Sequence, residues 1–359
     1  MDRIPAGMAP VLVALLAAQA GAGAEAAETP RPQPSYLEWP VLPVPEPDLA
    51  DVRYGPERRQ TMDIWLPPAA EGPETGDRAS GEEGAPVLVF FHHGAFTFGD
   101  KSMLPGSFLE YARERGWAVV SANYRFTTQA PFPAPMLDGA RAVQWVRAHA
   151  ERLGIDPERV AVSGVSAGAG ISMWLAFHPD LADPDAEDPV LRESTRVSAA
   201  LALEGQGTYD PREYERMFGR DLTVVRSFRT FYPIPPERYD TPEAHEMFAQ
   251  ASPLTHASPE DPPVLIAHAL SLTPLGRMDE IVRIIHAPEL GEQVADRLEE
   301  VGVEYALDVL GRPRRASAGV NGDHLFDLLE RAIETGRIGE AGEEGTGSRR
   351  PAGGGSGAE

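Results

Sequence analysis

The sequence predicts an α/β fold, in which a mostly parallel sheet is flanked by helices on both faces. The first observation is that short apolar runs alternate with amphipathic helical patterns along residues 61–335. The second is that runs such as 86–92 and 199–203 are almost entirely apolar, which is typical of strands buried on both faces. Because parallel strands need crossover connections, this alternation favours one layered domain, which we expect to span residues 50–338.

The elements follow one another in a regular order. The predicted strands cover residues 61–66, 86–92, 117–123, 160–163, 199–203, 263–268 and 304–310. Helical patterns cover residues 103–115, 135–152 and 167–177, and one further pattern follows each of the last two strands.

Residues 206–258 interrupt this order, because they are rich in Tyr and Phe but contain no clear strand. One interpretation is a helical cap over the end of the sheet where substrates enter. The other is that these aromatic side chains only pack the inserted segment onto the domain, and the sequence favours neither.

Both ends of the chain lie outside the predicted domain. Residues 1–26 combine Arg3, an apolar run and small residues with A-x-A spacing, which predicts a signal peptide and a secreted or periplasmic protein. The apolar run is shorter than the roughly 20 residues that span a bilayer, so we expect no integral membrane segment after export. Residues 27–49 form a proline-rich lead-in, and residues 339–359 have too few apolar side chains to fold, which predicts a disordered tail.

Composition disfavours several classes of partner. The chain carries 32 Lys and Arg against 55 Asp and Glu, a net charge of −23, which repels nucleic acid and anionic lipid. It has no cysteine and therefore no disulfide or thiol chemistry. No group of His, Asp and Glu has metal-ligand spacing, so we expect neither a metal nor another cofactor.

The strongest motif is the G-x-S-x-G sequence at residues 164–168, with Ser166 at its centre. It directly follows the strand predicted at 160–163 and opens the helix predicted at 167–177, which is the context of a nucleophile elbow. The small flanking residues let strand and helix approach each other. A structural Gly-Ser turn is the alternative, but this position favours a catalytic serine.

A second motif, Phe91-His92-His93-Gly94-Ala95-Phe96, ends the strand predicted at 86–92. A loop in this position supplies backbone N–H groups that stabilise the oxyanion of acyl transfer. The N–H groups of Gly94, Ala95 and Ala167 are the candidate donors.

A serine nucleophile also needs a base, and histidine has a suitable pKa. The chain has nine histidines. His324 is favoured because it follows the last predicted strand, and in enzymes with a nucleophile elbow the catalytic residues follow one another along the chain as nucleophile, acid and histidine. His286 is the competing candidate.

Together these motifs resemble the esterase/lipase branch of the α/β-hydrolase superfamily, near its hormone-sensitive-lipase-like and feruloyl-esterase-like carboxylesterases. The resemblance covers residues 50–335. It is carried by Tyr54-Gly, Asp63-Ile-Trp-Leu-Pro, the loop from His92 to Ser102, Asn123-Tyr-Arg, Pro131-Phe-Pro-Ala-Pro, residues 164–168, Ser252-Pro-Leu and Asp261-Pro-Pro. It implies an α/β-hydrolase fold with Ser166 as nucleophile, His324 as base, and Gly94, Ala95 and Ala167 as oxyanion donors.

The sequence departs from the family pattern at two places. His93 stands where the family's oxyanion loop has glycine, and a Cβ restricts the backbone there. The family's catalytic Asp falls near Ile284, so Asp279 or Glu280 must serve instead, and Asp279 is our candidate. A solvated charge pair is the alternative for these two carboxylates.

We therefore expect an exported serine hydrolase that cleaves carboxylic esters through an acyl-enzyme at Ser166. The expected substrate is a small-molecule or carbohydrate-linked ester, and nucleic acid is not an expected partner. Two alternatives remain open at this stage: a catalytically weakened or inactive binding protein that kept the fold, and an amidase or formamidase using the same residues.

Overall fold

The structure of the protein is a computed structural model that describes residues 42–68, 84–268, 280–309, 315–317 and 325–339. The predicted signal peptide, most of the proline-rich lead-in, the loop at 69–83 and nearly all of the predicted tail lie outside these residues. So do Asp279 and His324. The strands among the described residues are β1 (Leu49–Arg53), β2 (Thr61–Trp65), β3 (Ala85–Phe91), β4 (Ala118–Ala122), β5 (Ile155–Val165), β6 (Ala199–Leu203), β7 (Val264–His268), β8 (Tyr305–Val309) and β9 (Arg315–Ala316).

These strands form one nine-stranded sheet in the order β1-β2-β4-β3-β5-β6-β7-β8-β9. All pairs from β4 to β8 are parallel, and the two edges are closed by antiparallel pairs. Strand β3 lies inside the parallel part of the sheet, where its Val89 pairs with Val120 of β4 and with Val162 of β5. The predicted mostly parallel sheet is therefore confirmed.

The helices among the described residues are α1 (Gly106–Glu114), α2 (Ala134–Ala148), α3 (Ala150–Leu153), α4 (Ala167–Phe177), α5 (Pro211–Phe218), α6 (Arg226–Phe231), α7 (Pro242–Ala251), α8 (Pro253–His256), α9 (Glu280–Ile285), α10 (Pro288–Val301) and α11 (Leu325–Thr335). None of these helices has the length and apolar character that crossing a membrane requires.

Side-chain alternation along β3 shows that the sheet is buried on both faces. Val87, Val89 and Phe91 join an apolar cluster that includes α2, α4 and α10. Leu88 and Phe90, which point to the opposite face, join a second cluster that includes α1 and α11. Because successive side chains of a strand point to opposite faces, this division places one helical layer on each side. The carboxyl ends of β3 and β5 lie side by side between these layers.

The segment at 206–258 consists of α5 to α8 and two short 3₁₀ turns, with no strand. Its helix α5 packs against α9 and α10 through a small apolar cluster that includes Tyr214, Leu222, Ile284 and Leu290. This contact connects the helical segment to the short helix α9, whose last residue, Ile285, lines the candidate site described below.

Candidate active site

Ser166 lies at a sharp turn between β5 and α4. Its backbone has φ 53° and ψ −114°, an unfavourable conformation for a residue with a side chain. The close approach of strand and helix requires the flanking glycines: a Cβ on Gly164 would lie 2.4 Å from the backbone of Gly168, and a Cβ on Gly168 would lie 2.0 Å from the Phe91 carbonyl oxygen. The N–H of Ser166 itself is bonded to the carbonyl of Leu203 at 2.8 Å.

His286 stands opposite this serine, one residue after the end of α9. Its Nε2 lies 2.9 Å from Oγ of Ser166, and both side chains are largely buried. Its Nδ1 lies 2.9 Å from the carbonyl oxygen of Val282. Because a carbonyl only accepts hydrogen bonds, Nδ1 carries the hydrogen and Nε2 presents its lone pair to the serine hydroxyl. This is the tautomer that a general base needs.

Burial keeps His286 neutral. It lowers the pKa of the imidazole to about 4; the Val282 carbonyl opposes this shift, and nearby His93 adds to it. At neutral pH the ring is therefore able to accept a proton from Ser166.

The structure brings together only part of the site that the sequence predicts. His324 and Asp279, the candidate base and acid, lie outside the described residues, so their roles stay predictions. Glu280, the other acidic residue of that loop, is exposed at the start of α9 and accepts a hydrogen bond from Arg220 at 2.9 Å. The partner of His286 at Nδ1 is a backbone carbonyl instead of a carboxylate.

The loop after β3 has an unusual backbone. Gly94, Ala95 and Phe96 have positive φ values of 129°, 49° and 57°, whereas His93 is not among the described residues with positive φ. The side chain of His93 is therefore compatible with the loop, because the left-handed residues follow it. No hydrogen bond between described residues uses the N–H groups of Gly94, Ala95 or Ala167, so these donors remain able to bind an oxyanion.

A pocket opens in front of Ser166 and is mainly apolar. Its lining comes from the loop after β3, the elbow, the loop after β6, helices α5 and α6, and the end of α9: Ala95, Phe96, Ser166, Ala167, Gln206, Tyr209, Tyr214, Ser227, Phe228, Phe231 and Ile285. Within the part of the chain that the structure describes, no group of three or more His, Asp and Glu side chains is placed to hold a metal ion.

Some aromatic residues of the helical segment line the pocket, and others pack the segment together. Tyr209 and Phe231 line the pocket and stack on each other at 5.0 Å between ring centroids. Tyr232, Tyr239 and Phe248 instead pack together within the segment, with centroids 4.8 to 5.9 Å apart. The segment is thus held together by one group of rings and lines the site with another.

Gln206 and Arg59 are site residues that the sequence analysis did not identify. Gln206 is buried, lines the pocket and contacts the segment that carries His286. Arg59 lies beneath the loop after β3. Neither belongs to a motif, and a single Gln or Arg in one sequence gives no signal of such contacts.

The sequence model of the BD-FAE family matches residues 77–294, which include the elbow, the loop after β3 and the helical segment. The chain belongs to the BD-FAE family. Its place in the esterase/lipase branch of the α/β-hydrolase superfamily agrees with the resemblance that the motifs indicated.

Curated relatives carry esterase names. The chain is 29% identical to the probable carboxylic ester hydrolase LipM of Mycobacterium tuberculosis, over 75% of this chain and 58% of LipM. It is 31% identical to the esterase LipQ of the same organism, over 65% of this chain and 52% of LipQ. The chain thus spans little more than half the length of these two relatives.

Solved structures share the fold. A truncated carbohydrate esterase from gut microbiota superposes with a TM-score of 0.59 at 18% identity, covering 80% of this chain and 95% of that one. An esterase of the planctomycete Thermogutta terrifontis, solved with propionate bound, gives a TM-score of 0.54 at 22% identity, covering 81% and 94%. These similarities establish the α/β-hydrolase fold of this chain.

Proposed function

We propose that the protein is an exported serine hydrolase that cleaves carboxylic esters through an acyl-enzyme at Ser166. The observation that supports this most strongly is the 2.9 Å contact between Oγ of Ser166 and Nε2 of a buried, neutral His286. It stands beside an apolar pocket and three backbone N–H groups, those of Gly94, Ala95 and Ala167, that have no acceptor among the described residues. The names of the curated relatives agree with an ester as the substrate.

The chemistry runs in two halves. In the first, His286 takes the hydroxyl proton while Oγ of Ser166 attacks the ester carbonyl carbon, and the carbonyl oxygen becomes negative. The N–H groups of Gly94, Ala95 and Ala167 stabilise that charge. The imidazolium returns the proton to the departing alkoxide, leaving an alcohol and an acyl-serine. In the second half, His286 deprotonates a water that attacks the acyl carbon; the acyl–oxygen bond then breaks, and the imidazolium returns the proton to Oγ of Ser166 as the carboxylic acid leaves.

We assign the base to His286, and His324 is the competing candidate. Geometry supports His286, whose ring contacts Ser166. Chain order supports His324, which follows the last strand. Replacing each by Asn separates them: loss of ester hydrolysis by a factor of at least about 10³ in only one variant identifies the base.

The neutral partner of His286 favours a second candidate, a catalytically weakened or inactive protein of the same fold. A carboxylate at Nδ1 stabilises the imidazolium that forms during catalysis, and replacing it costs about 10⁴ in turnover in a serine protease. The Val282 carbonyl carries only a partial charge. If Asp279 supplies no carboxylate, we expect an active but slow enzyme. An amidase or formamidase would use the same residues and differs only in substrate.

The deciding experiment combines labelling and turnover. Wild type and Ser166→Ala are treated with a fluorophosphonate probe and assayed on p-nitrophenyl esters. We expect Ser166-dependent labelling and hydrolysis. A wild-type protein that neither reacts at Ser166 nor hydrolyses any ester would support the inactive binding protein, whereas labelling with hydrolysis of amides alone would support the amidase.

Substrate and export need separate tests. Acetylated or aroylated oligosaccharides, compared with simple alkyl esters of the same acids, test whether the alcohol part is a carbohydrate. Cell fractionation followed by N-terminal sequencing of the mature protein tests export. We expect cleavage near residues 22–26, and a cytoplasmic protein that retains Met1 would contradict the signal peptide.

A further inference from the structure

Arg59, in the loop between β1 and β2, contacts both ends of the loop that follows β3. Its Nη2 lies 3.3 Å from Nε2 of His92 and 3.1 Å from the carbonyl oxygen of Gly99. The same nitrogen lies 3.0 Å from Oδ1 of Asn123. Its Nε donates to the Tyr124 carbonyl at 2.8 Å. The guanidinium is thus held on several sides and bridges His92 to Gly99.

The ring of His92 has only one tautomer that satisfies these contacts. Nδ1 lies 2.7 Å from the carbonyl oxygen of His93, and Nε2 faces the guanidinium. Arg59 only donates and a carbonyl only accepts, so the hydrogen is on Nδ1 and the lone pair is on Nε2. The ring is fully buried and stacks on Tyr124 at 4.3 Å between centroids. Burial lowers the pKa of His92 to about 3, with the charge of Arg59 acting in the same direction, so the ring stays neutral.

This tautomer fixes the peptide bond between His93 and Gly94. In a trans peptide the C=O and N–H groups point in opposite directions. Because Nδ1–H of His92 holds the His93 oxygen, the N–H of Gly94 must point away from that ring. This N–H is a candidate oxyanion donor, and it has no acceptor among the described residues.

Gly99 leaves room for this arrangement. Its φ is 115°, and a Cβ there would lie 2.3 Å from Nδ1 of His92 and 2.4 Å from the His93 oxygen. The ring, the carbonyl and the Gly99 backbone are therefore packed at contact distance, which leaves no room for a side chain at position 99.

We propose that Arg59 is the positioning residue of the oxyanion loop: by donating to the Gly99 carbonyl and facing Nε2 of His92, it holds both ends of the loop in place, so that the Gly94 N–H points toward the reacting oxygen. Without Arg59, the buried Nε2 would lack its donor. The Gly99 carbonyl would lose a donor as well, so neither end of the loop would be held by the guanidinium. The inference rests on the proposed function for its catalytic consequence but not for its structural part.

The structural part is tested on the wild-type protein without any substrate. Two-dimensional NMR of protein labelled with ¹⁵N-histidine, with His92→Asn for assignment, distinguishes a ring protonated at Nδ1 from one protonated at Nε2. We expect His92 to carry its hydrogen on Nδ1 in wild type, and we expect the ¹⁵N shift of its Nε2 to change in Arg59→Met, because that nitrogen then lacks the guanidinium. A wild-type ring protonated at Nε2, or an unchanged ring in Arg59→Met, would overturn the proposal.

The catalytic part is tested with Arg59→Lys and Arg59→Met. We expect Arg59→Met to lower kcat by about 10² or more, the usual effect of losing one oxyanion donor, with little change in KM. Arg59→Lys keeps the charge but not the planar fork, so we expect a partial loss of kcat. The rate of phosphonylation of Ser166 should fall in parallel, because that reaction also builds negative charge on an oxygen in the same position.

Arg147→Lys is the matched control. Arg147 is also partly buried and donates to three backbone carbonyls, those of Pro157, Ser194 and Arg196, but it touches no residue of the site. We expect similar losses of stability in Arg147→Lys and Arg59→Lys but a fall in kcat only in the second. If both variants keep the kcat of wild type, Arg59 has no role in the reaction. If wild type itself lacks Ser166-dependent turnover, the proposed function fails, and the NMR result decides the structural part alone.

Discussion

The side-chain amide of Gln206 holds the backbone directly in front of His286: Nε2 donates to the Ile285 carbonyl at 2.6 Å. The other hydrogen of this amide is bonded to the Glu204 carbonyl at 3.0 Å. Both donors are used, so Gln206 connects the loop after β6 with the end of α9. Ser166 is tied to the same strand through the Leu203 carbonyl. The nucleophile and its contacting histidine are thus positioned from one strand end.

Gln206→Met is therefore expected to lower kcat. Methionine keeps the length of the side chain but cannot hold Ile285, and a displacement of about 1 Å in a catalytic group can cost up to 10²-fold. Gln144→Met is the control, because the amide of Gln144 also bridges two carbonyls, those of Leu191 and Glu193, away from the site. Equal kcat in both variants, at equal stability, would show that the contact with Ile285 does not position His286.

The pH dependence of kcat/KM is expected to be shifted to acid pH. A base works in its neutral form, and burial lowers the pKa of His286 to about 4 from its ordinary value near 6.5. Activity should therefore persist as the pH falls through 6.5 and be lost only as it approaches about 4. Steady-state rates with circular dichroism at each pH separate this loss from unfolding. An acid limb with its midpoint near pH 6.5 would indicate a more exposed base.

Phe228→Ala is expected to widen the pocket and favour longer acyl chains. Phe228 lines the pocket and packs on Tyr214, with ring centroids 5.5 Å apart. Phe218 also packs on Tyr214, with ring centroids 6.3 Å apart, but it does not line the pocket, so Phe218→Ala is the matched control. The ratio of kcat/KM for octanoate and acetate esters of p-nitrophenol should rise only in Phe228→Ala. A rise in both variants would indicate general loosening of the helical segment.

Tyr209→Phe is expected to leave the free energy of unfolding unchanged or raise it by about 1 kcal/mol. The hydroxyl of Tyr209 is buried and has no hydrogen-bond partner among the described residues. Its removal breaks no hydrogen bond and removes the free-energy cost of burying an unpaired polar group. Tyr232→Phe is the comparison, because that hydroxyl donates to the Tyr209 carbonyl at 2.9 Å and its loss should cost about 1 kcal/mol. Denaturant unfolding measures both, and a clear destabilisation by Tyr209→Phe would reveal a partner for its hydroxyl.

The sequence predicted the central sheet well because its strands are apolar on both faces. The strands expected at 86–92, 199–203 and 263–268 correspond to β3, β6 and β7 to within one residue at each end. The edge strands β1 and β9 were not predicted. β1 is short and mostly exposed, and β9 has only two residues, so neither shows an apolar pattern.

The geometry of the elbow was likewise predictable, since a G-x-S-x-G sequence between a strand and a helix places its serine at a sharp, strained turn. The contact of His286 with Ser166 was harder to predict from the sequence. His286 is separated from Ser166 by 120 positions, and its approach depends on how α9 packs against α5. Chain order favours the histidine after the last strand, but no local pattern shows which ring reaches the serine. The positive φ values after His93 could not be predicted from the sequence either, because Ala and Phe rarely adopt positive φ, yet Ala95 and Phe96 do.

The N–H of Ser166 is hydrogen-bonded to the Leu203 carbonyl, so its hydrogen exchange should differ from that of the next amide in the elbow. The amide of the nucleophile belongs to the sheet and should exchange its hydrogen with deuterated water only when the sheet opens. The amide of Ala167, one residue later, has no acceptor among the described residues and should exchange far sooner. Two adjacent amides thus differ in exchange lifetime, and a bound oxyanion would slow only the second.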